Sequence, residues 1–137
     1  MPYHRVLIAD HHHQMLTGMY SLLDPLFDTV LMVADEASLH DVIESMKPDL
    51  IVVDISLHYE GESNIPQRLL DRYPEACFIL ISVHDEPIIV SQMLEMGVSG
   101  FVLKRTLATD LVPAVGEVLD GGIYVSPTID ERPLRLR

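Results

Sequence analysis

The chain has 137 residues, 48% of them apolar and 22% charged, with a formal net charge of −12 and a single cysteine, Cys77. That length and mix suit one domain with a real, mainly aliphatic core, and the lone cysteine excludes an internal disulfide and any CxxC metal or redox motif. The acidic excess repels polyphosphate and anionic lipid, and no apolar run approaches membrane-spanning length or resembles a signal peptide, so the chain reads as a cytoplasmic protein that neither enters a membrane nor binds nucleic acid by itself.

Taken in order, short apolar runs alternate with helical patterns. "RVLIA" (5–9), "TVLMVA" (29–34), "LIVV" (50–53), "CFILIS" (77–82) and "GFVL" (100–103) predict strands. Most are continuously apolar, which marks strands covered on both faces, as in a parallel sheet. After the first strand, Met15, Leu16, Met19, Tyr20, Leu22 and Leu23 recur at helical spacing, and Pro25 follows. Leu39, Val42, Ile43 and Met46 form a second stripe, with Asp35 or Ser38 as cap and Pro48 as stop. Ile65, Leu69 and Leu70 mark a weaker third helix. Ile89, Met93, Leu94 and Met96 mark a fourth, capped by Asp85 and ended by Gly97. Leu107, Leu111, Val115, Val118 and Leu119 mark a fifth, capped by Thr106, with Pro113 expected to kink or weaken its start.

This is a βα unit repeated five times: an α/β, three-layer (βα)5 doubly wound parallel sheet with right-handed crossovers. The domain is expected over residues 1–121. Residues 122–137, "GIYVSPTIDERPLRLR", lose helical periodicity and read as a linker or tail.

In an open parallel sheet, ligands bind beyond the C-terminal strand ends, where the strand order reverses. Asp10 and His11 end the first strand, Asp54 the third, Ser82 the fourth and Lys104 follows the fifth. Any one of these suits a wet strand end or a helix cap. Together they supply the parts for phosphoryl transfer to a carboxylate: a nucleophile, a cation-binding acid, a hydroxyl and an ammonium.

Those residues carry a resemblance. "VLIAD", "KPDLIVVDISL", "FILISVHDE", "GVSGFVLKRT" and "AVGEVLDGGIYVSP" stand in the order and strand placement of a bacterial two-component response regulator receiver domain of the NarL/LuxR type, over about residues 4–127. The resemblance implies the flavodoxin-like strand order 2-1-3-4-5. It implies Asp54 as phosphoacceptor, a sensor histidine kinase as donor, and Ser82 and Lys104 as phosphoryl contacts. Phe101 falls at the switch aromatic, and the face built by the fourth helix, fifth strand and fifth helix would shift. Mg²⁺ would be held by Asp10, its neighbour at position 11, Asp54 and the backbone carbonyl of Ser56. Ser56 and His84 fall at positions that tune the lifetime of the aspartyl phosphate. A homodimer is compatible with the helical face. DNA binding would come only through a C-terminal helix-turn-helix domain that this chain does not contain; the "GGIYVSP" exit favours an excised receiver over a stand-alone one.

Two departures stand out. The family's usual acid pair reads Asp10–His11 here. Imidazole suits Zn²⁺, Cu²⁺ or Ni²⁺ better than Mg²⁺, so His11 should weaken Mg²⁺ binding. After Asp54, the family's usual Pro and Gly are His58 and Glu62, in an acidic loop where Glu60 or Glu62 could reach the metal. His12 is common in the subgroup and receives no special role, and His13 reads as a solvated helix start. A dedicated metal site built on the histidine triplet runs against geometry, since consecutive helical residues point in different directions.

Three functional readings follow. A working phospho-receiver is favoured by Asp54, Ser82 and Lys104 together, and a degenerate receiver acting as an interaction module is favoured by His11. A flavin binder or an aspartate-based phosphatase fits poorly, because the chain lacks a phosphate-cradling loop after the first strand and a second aspartate two residues after Asp54.

Overall fold

A computed structural model describes residues 3–57 and 65–127. Six parallel strands form one sheet in the order β2-β1-β3-β4-β5-β6. The strands are β1 (Tyr3–Ala9), β2 (Phe27–Val33), β3 (Leu50–Asp54), β4 (Phe78–Ser82), β5 (Gly100–Leu103) and β6 (Tyr124–Val125). The helices are α1 (His13–Leu23), α2 (Glu36–Met46), α3 (Ile65–Arg72), α4 (Pro87–Met96) and α5 (Leu107–Leu119).

Strand alternation splits the core into two layers. Val6, Ile8, Leu50, Val52, Ile79, Ile81 and Val102 pack against α1 and α5 through Leu16, Met19, Leu23, Leu111 and Val115. Their strand neighbours Leu7, Ala9, Ile51, Val53, Leu80 and Phe101 point the other way, toward Leu39 and Ile43 of α2, Leu69 of α3 and Val90 of α4. This two-sided burial is why the strands carry continuous apolar runs.

The sheet leaves little room where α5 crosses β5. A Cβ built on Gly100 would lie 2.8 Å from Ile79 Cγ1 and 3.2 Å from Val118 Cγ2. Gly100→Ala should therefore cost about 1–3 kcal/mol by overpacking, read as a lowered urea midpoint with an unchanged m-value.

Local signals mostly settle as expected. Asp35 caps α2, accepting from the Ser38 N–H at 2.8 Å. Lys47 ends the same helix at φ 48 and Gly97 ends α4 at φ 107, both in the left-handed region. Pro113 differs from expectation: it neither breaks nor shortens α5, which is continuous from Leu107 to Leu119. Two expected caps differ. The N-cap of α4 is Glu86 rather than Asp85, because Pro87 fixes the first helical residue, and Asp85 instead accepts from Arg105 at 2.9 Å. Thr106 does precede α5, but its hydroxyl donates to Asp110 at 2.6 Å instead of capping the helix.

Residues 122–126 were expected in a linker. They continue the packed unit: Tyr124 and Val125 pair with Gly100 and Phe101 of β5, and Ser126 is fully buried. The loop carrying His58, Glu60 and Glu62, and the tail from residue 128, lie outside the described residues.

Candidate phosphoacceptor site

The order 2-1-3 reverses the sheet between β1 and β3, so the switch point lies between their C-terminal ends. Alternation fixes what faces it. Asp10 follows Val6 and Ile8, and Asp54 follows Leu50 and Val52, so both carboxylates lie on the α1/α5 side. Asp10 is fully buried and Asp54 is 2% exposed.

Asp54 is held by three donors. The Ser56 N–H donates to Oδ1 at 3.0 Å, while the Ser56 hydroxyl and the Lys104 ammonium donate to Oδ2 at 2.9 and 2.8 Å. Burial alone would raise the pKa of this carboxyl. The Lys104 ammonium and the two Ser56 hydrogen bonds outweigh it, and the net shift is downward. Asp54 is thus kept anionic in a water-poor site, with Oδ1 the less engaged oxygen.

Asp10 is held differently. Its Oδ1 accepts from the His12 N–H at 2.8 Å and lies 3.2 Å from His12 Nδ1. Its Oδ2 is buried without a hydrogen-bond partner among the described residues; Lys104 Nζ stands 3.6 Å away. His12 Nδ1 also lies 3.3 Å from Lys104 Nζ. One ring nitrogen cannot donate to Asp10 and accept from Lys104 at once. Donation to Asp10 leaves Lys104 committed to Asp54.

His12 therefore belongs to the site, a role its sequence position did not suggest. The signal was the Asp-x-His spacing: an aspartate that accepts from the N–H two residues on draws that residue's ring beside it. His11 and His12 precede α1, which starts at His13. The divergence expected of consecutive helical residues does not apply to them, and their ring centroids lie 4.1 Å apart.

The other sequence-named residues stand around this centre. His12, Asp54, Ile55, Ser56, Val83, His84 and Lys104 line one cleft. Ser82 is fully buried at the end of β4, with its hydroxyl accepting from the His84 N–H at 2.9 Å. Phe101 is fully buried in the layer facing α2, α3 and α4. Among the described residues, neither Ser82 nor Phe101 hydrogen-bonds the Asp54 carboxylate; Lys104 and Ser56 do.

Fold and site together define a doubly wound α/β protein with a buried carboxylate–ammonium pocket at its switch point. A family model of the response regulator receiver domain matches residues 6–116, and the chain belongs to that family. It is similar to the transcriptional regulatory protein DegU of Brevibacillus brevis, 30% identical over 127 residues that cover 91% of this chain and 54% of DegU. It also matches the oxygen regulatory protein NreC of Staphylococcus epidermidis, 27% identical over 88% of this chain and 57% of NreC. Among solved structures, the RcsB response regulator of Salmonella typhimurium superposes with a TM-score of 0.87 at 21% identity, covering 96% of this chain and 67% of that one. A LuxR-family two-component response regulator from Aurantimonas superposes at 0.84 with 23% identity, covering 97% and 98%. The fold expectation and the NarL/LuxR-type receiver assignment are thus borne out, with a sixth strand added. The chain spans about half the length of the curated relatives it matches. Receiver domains are signalling modules of two-component systems rather than turnover enzymes. Among the described residues, no helix is long and apolar enough to cross a membrane.

Proposed function

We propose that Asp54 accepts a phosphoryl group from a sensor histidine kinase and that the receiver thereby switches an output, transcription through a helix-turn-helix domain of the whole regulator. The observation that carries this reading is the ionised, buried Asp54 carboxylate held at 2.8 Å by Lys104. A carboxylate kept anionic is a nucleophile toward phosphorus. An Asp54 oxygen forms the new P–O bond as the bond from phosphorus to the donor's nitrogen breaks. Lys104 then exchanges a carboxylate oxygen for a phosphoryl oxygen, cancelling part of the added charge.

Ser82 is one residue beyond Ile81, the β4 partner of Asp54 in the sheet register. Releasing the His84 N–H would free its hydroxyl for the phosphoryl group. That motion, with Phe101 of β5, would reshape the face of α4, β5 and α5, which is also the face available for a homodimer. Ser56 and His84 line the cleft, where their side chains would govern access of the hydrolytic water. The contact of Asp54, Ser56 and Lys104 favours this reading over a degenerate receiver.

The receiver family binds Mg²⁺ at an acidic site, and the bare Asp10 Oδ2 is a fitting place for a cation. The donor set does not fit Mg²⁺ fully. Asp10, Asp54 and the Ser56 carbonyl are hard oxygen ligands, but His11 puts an imidazole where a second acid would stand.

The test is intact mass after incubation with acetyl phosphate and Mg²⁺ or Mn²⁺. We expect one phosphoryl adduct on the native chain and none on Asp54→Asn. An unmodified native chain with both ions, and with His11→Asp as well, would leave the degenerate interaction module as the better account.

A further inference from the structure

Asp10, His11, His12 and Asp54 each offer one ligand atom, and these atoms all lie within 4.8 Å of one another. Two are oxygens of buried carboxylates and two are nitrogens of exposed imidazoles. Such a mixed set of oxygen and nitrogen donors matches a borderline divalent transition ion. Mg²⁺ instead wants six oxygens in near-octahedral order.

A second, independent observation points to a cation. Asp10 is fully buried, and its Oδ2 has no hydrogen-bond partner among the described residues. A buried carboxylate oxygen left bare is costly, and the nearest ammonium, Lys104 Nζ at 3.6 Å, is already committed to Asp54 at 2.8 Å. The other oxygen of Asp10 is engaged by His12. Asp10 can therefore ligate through Oδ2 while its Oδ1 keeps the hydrogen bond from the His12 backbone N–H.

We propose that this cluster is a site for a borderline divalent transition ion of the Co²⁺, Ni²⁺ or Zn²⁺ kind, bound in preference to Mg²⁺. Tetrahedral ligation with bonds of about 2.0–2.1 Å sets ligand atoms about 3.3 Å apart. The widest pair here must close by up to about 1.5 Å. The two exposed imidazoles are the ligands freest to move, by rotation about their side-chain bonds. The ion competes with Lys104 for the two carboxylates, so it should bind more tightly to Lys104→Met.

The experiment is calorimetric titration of tag-free protein with CoCl₂ and with MgCl₂, alongside the visible absorption of bound Co²⁺. We expect Co²⁺ to bind one-to-one, on the order of 100-fold more tightly than Mg²⁺. His11→Asp and His12→Asn should each weaken Co²⁺ binding by about ten-fold or more and change the Co²⁺ spectrum. His4→Asn, at a different His–Asp pair (His4 Nδ1 to Asp28, 3.1 Å), should change neither. Circular dichroism of the substituted chains checks that these exposed positions leave the fold intact. Mg²⁺ binding as tight as Co²⁺, or Co²⁺ binding that survives both the His11 and His12 substitutions, would overturn the assignment. No phosphoryl donor is present, so a failure here is distinct from a failure of Asp54 to be phosphorylated.

Discussion

Lys104→Met should destabilise the protein by about 3–5 kcal/mol at neutral pH, while Asp54→Asn should cost about 1 kcal/mol or less. The asymmetry follows from the geometry. Lys104 is the ammonium that faces both buried carboxylates, at 2.8 Å from Asp54 and 3.6 Å from Asp10. Removing it leaves two buried carboxylates side by side with no ammonium or guanidinium at ion-pair distance among the described residues. Removing the charge of Asp54 instead leaves one carboxylate and one ammonium, and a small rotation of Lys104 brings it onto the bare Oδ2 of Asp10. Urea unfolding of both variants reads the difference directly. A Lys104→Met loss no larger than that of Asp54→Asn would mean that Lys104 does not balance the charge of both carboxylates.

The pH dependence of the two forms should have opposite signs. In the native chain, the Asp54 pKa is lowered by Lys104 and Ser56 despite burial. Its contribution is present above the ordinary carboxylate range and is lost as pH falls through the depressed folded value. Glu36 at the start of α2 adds to the same trend. It is buried, and burial alone would raise its pKa, but Arg68 at 2.7 Å and His40 at 3.1 Å hold it down. In Lys104→Met, the lowering by the ammonium is gone, burial and the facing Asp10 carboxylate act on Asp54, and its folded pKa rises above its unfolded value. The folded state then binds more protons than the unfolded state, so stability grows as pH falls from about 7 toward about 5. In the native chain the Asp54 and Glu36 contributions should instead weaken as pH falls below the ordinary carboxylate range.

The parts of this arrangement legible from sequence are those that depend on local pattern. Four of the strands were readable because both faces are buried, the edge strand β2 by its apolar run although its middle is only partly buried, and Asp10, Asp54 and Lys104 were readable because each ends or follows such a run. What escaped depends on contacts between distant residues. β6 is two half-buried residues, Tyr124 and Val125, too short for any periodicity; its place is set by pairing with β5. The start of α1 decided the fate of the histidines: with the helix beginning at His13, His11 and His12 sit in the turn and share a direction. The pairing of Asp110 with Ser126, far apart in sequence, leaves no local trace at all.

That last pairing underlies the second large effect: Ser126→Ala should cost about 2–4 kcal/mol and should loosen the chain exit. The Ser126 hydroxyl accepts from the Leu103 N–H at 3.0 Å and donates to Asp110 at 2.7 Å. Its own N–H donates to the Phe101 carbonyl at 3.0 Å. Both Ser126 and Asp110 are buried. Alanine would leave the buried Leu103 N–H without this acceptor and reduce the donors to the Asp110 carboxylate, keeping Thr106 at 2.6 Å. Leu103 immediately precedes Lys104, so the exit of the domain is fastened one residue from the ammonium that grips Asp54. Hydrogen exchange should show faster exchange at Leu103 and Ser126 in Ser126→Ala, with the amides of β1 and β3 still protected at the lower global stability. Ser126→Thr, which keeps the hydroxyl, should recover most of the protection at Leu103. Unchanged exchange at Leu103 in Ser126→Ala would show that water or another group takes over the serine's place. Fast exchange confined to β5 and β6 would show that the segment leading out of the receiver can be released without unfolding the sheet that carries Asp54.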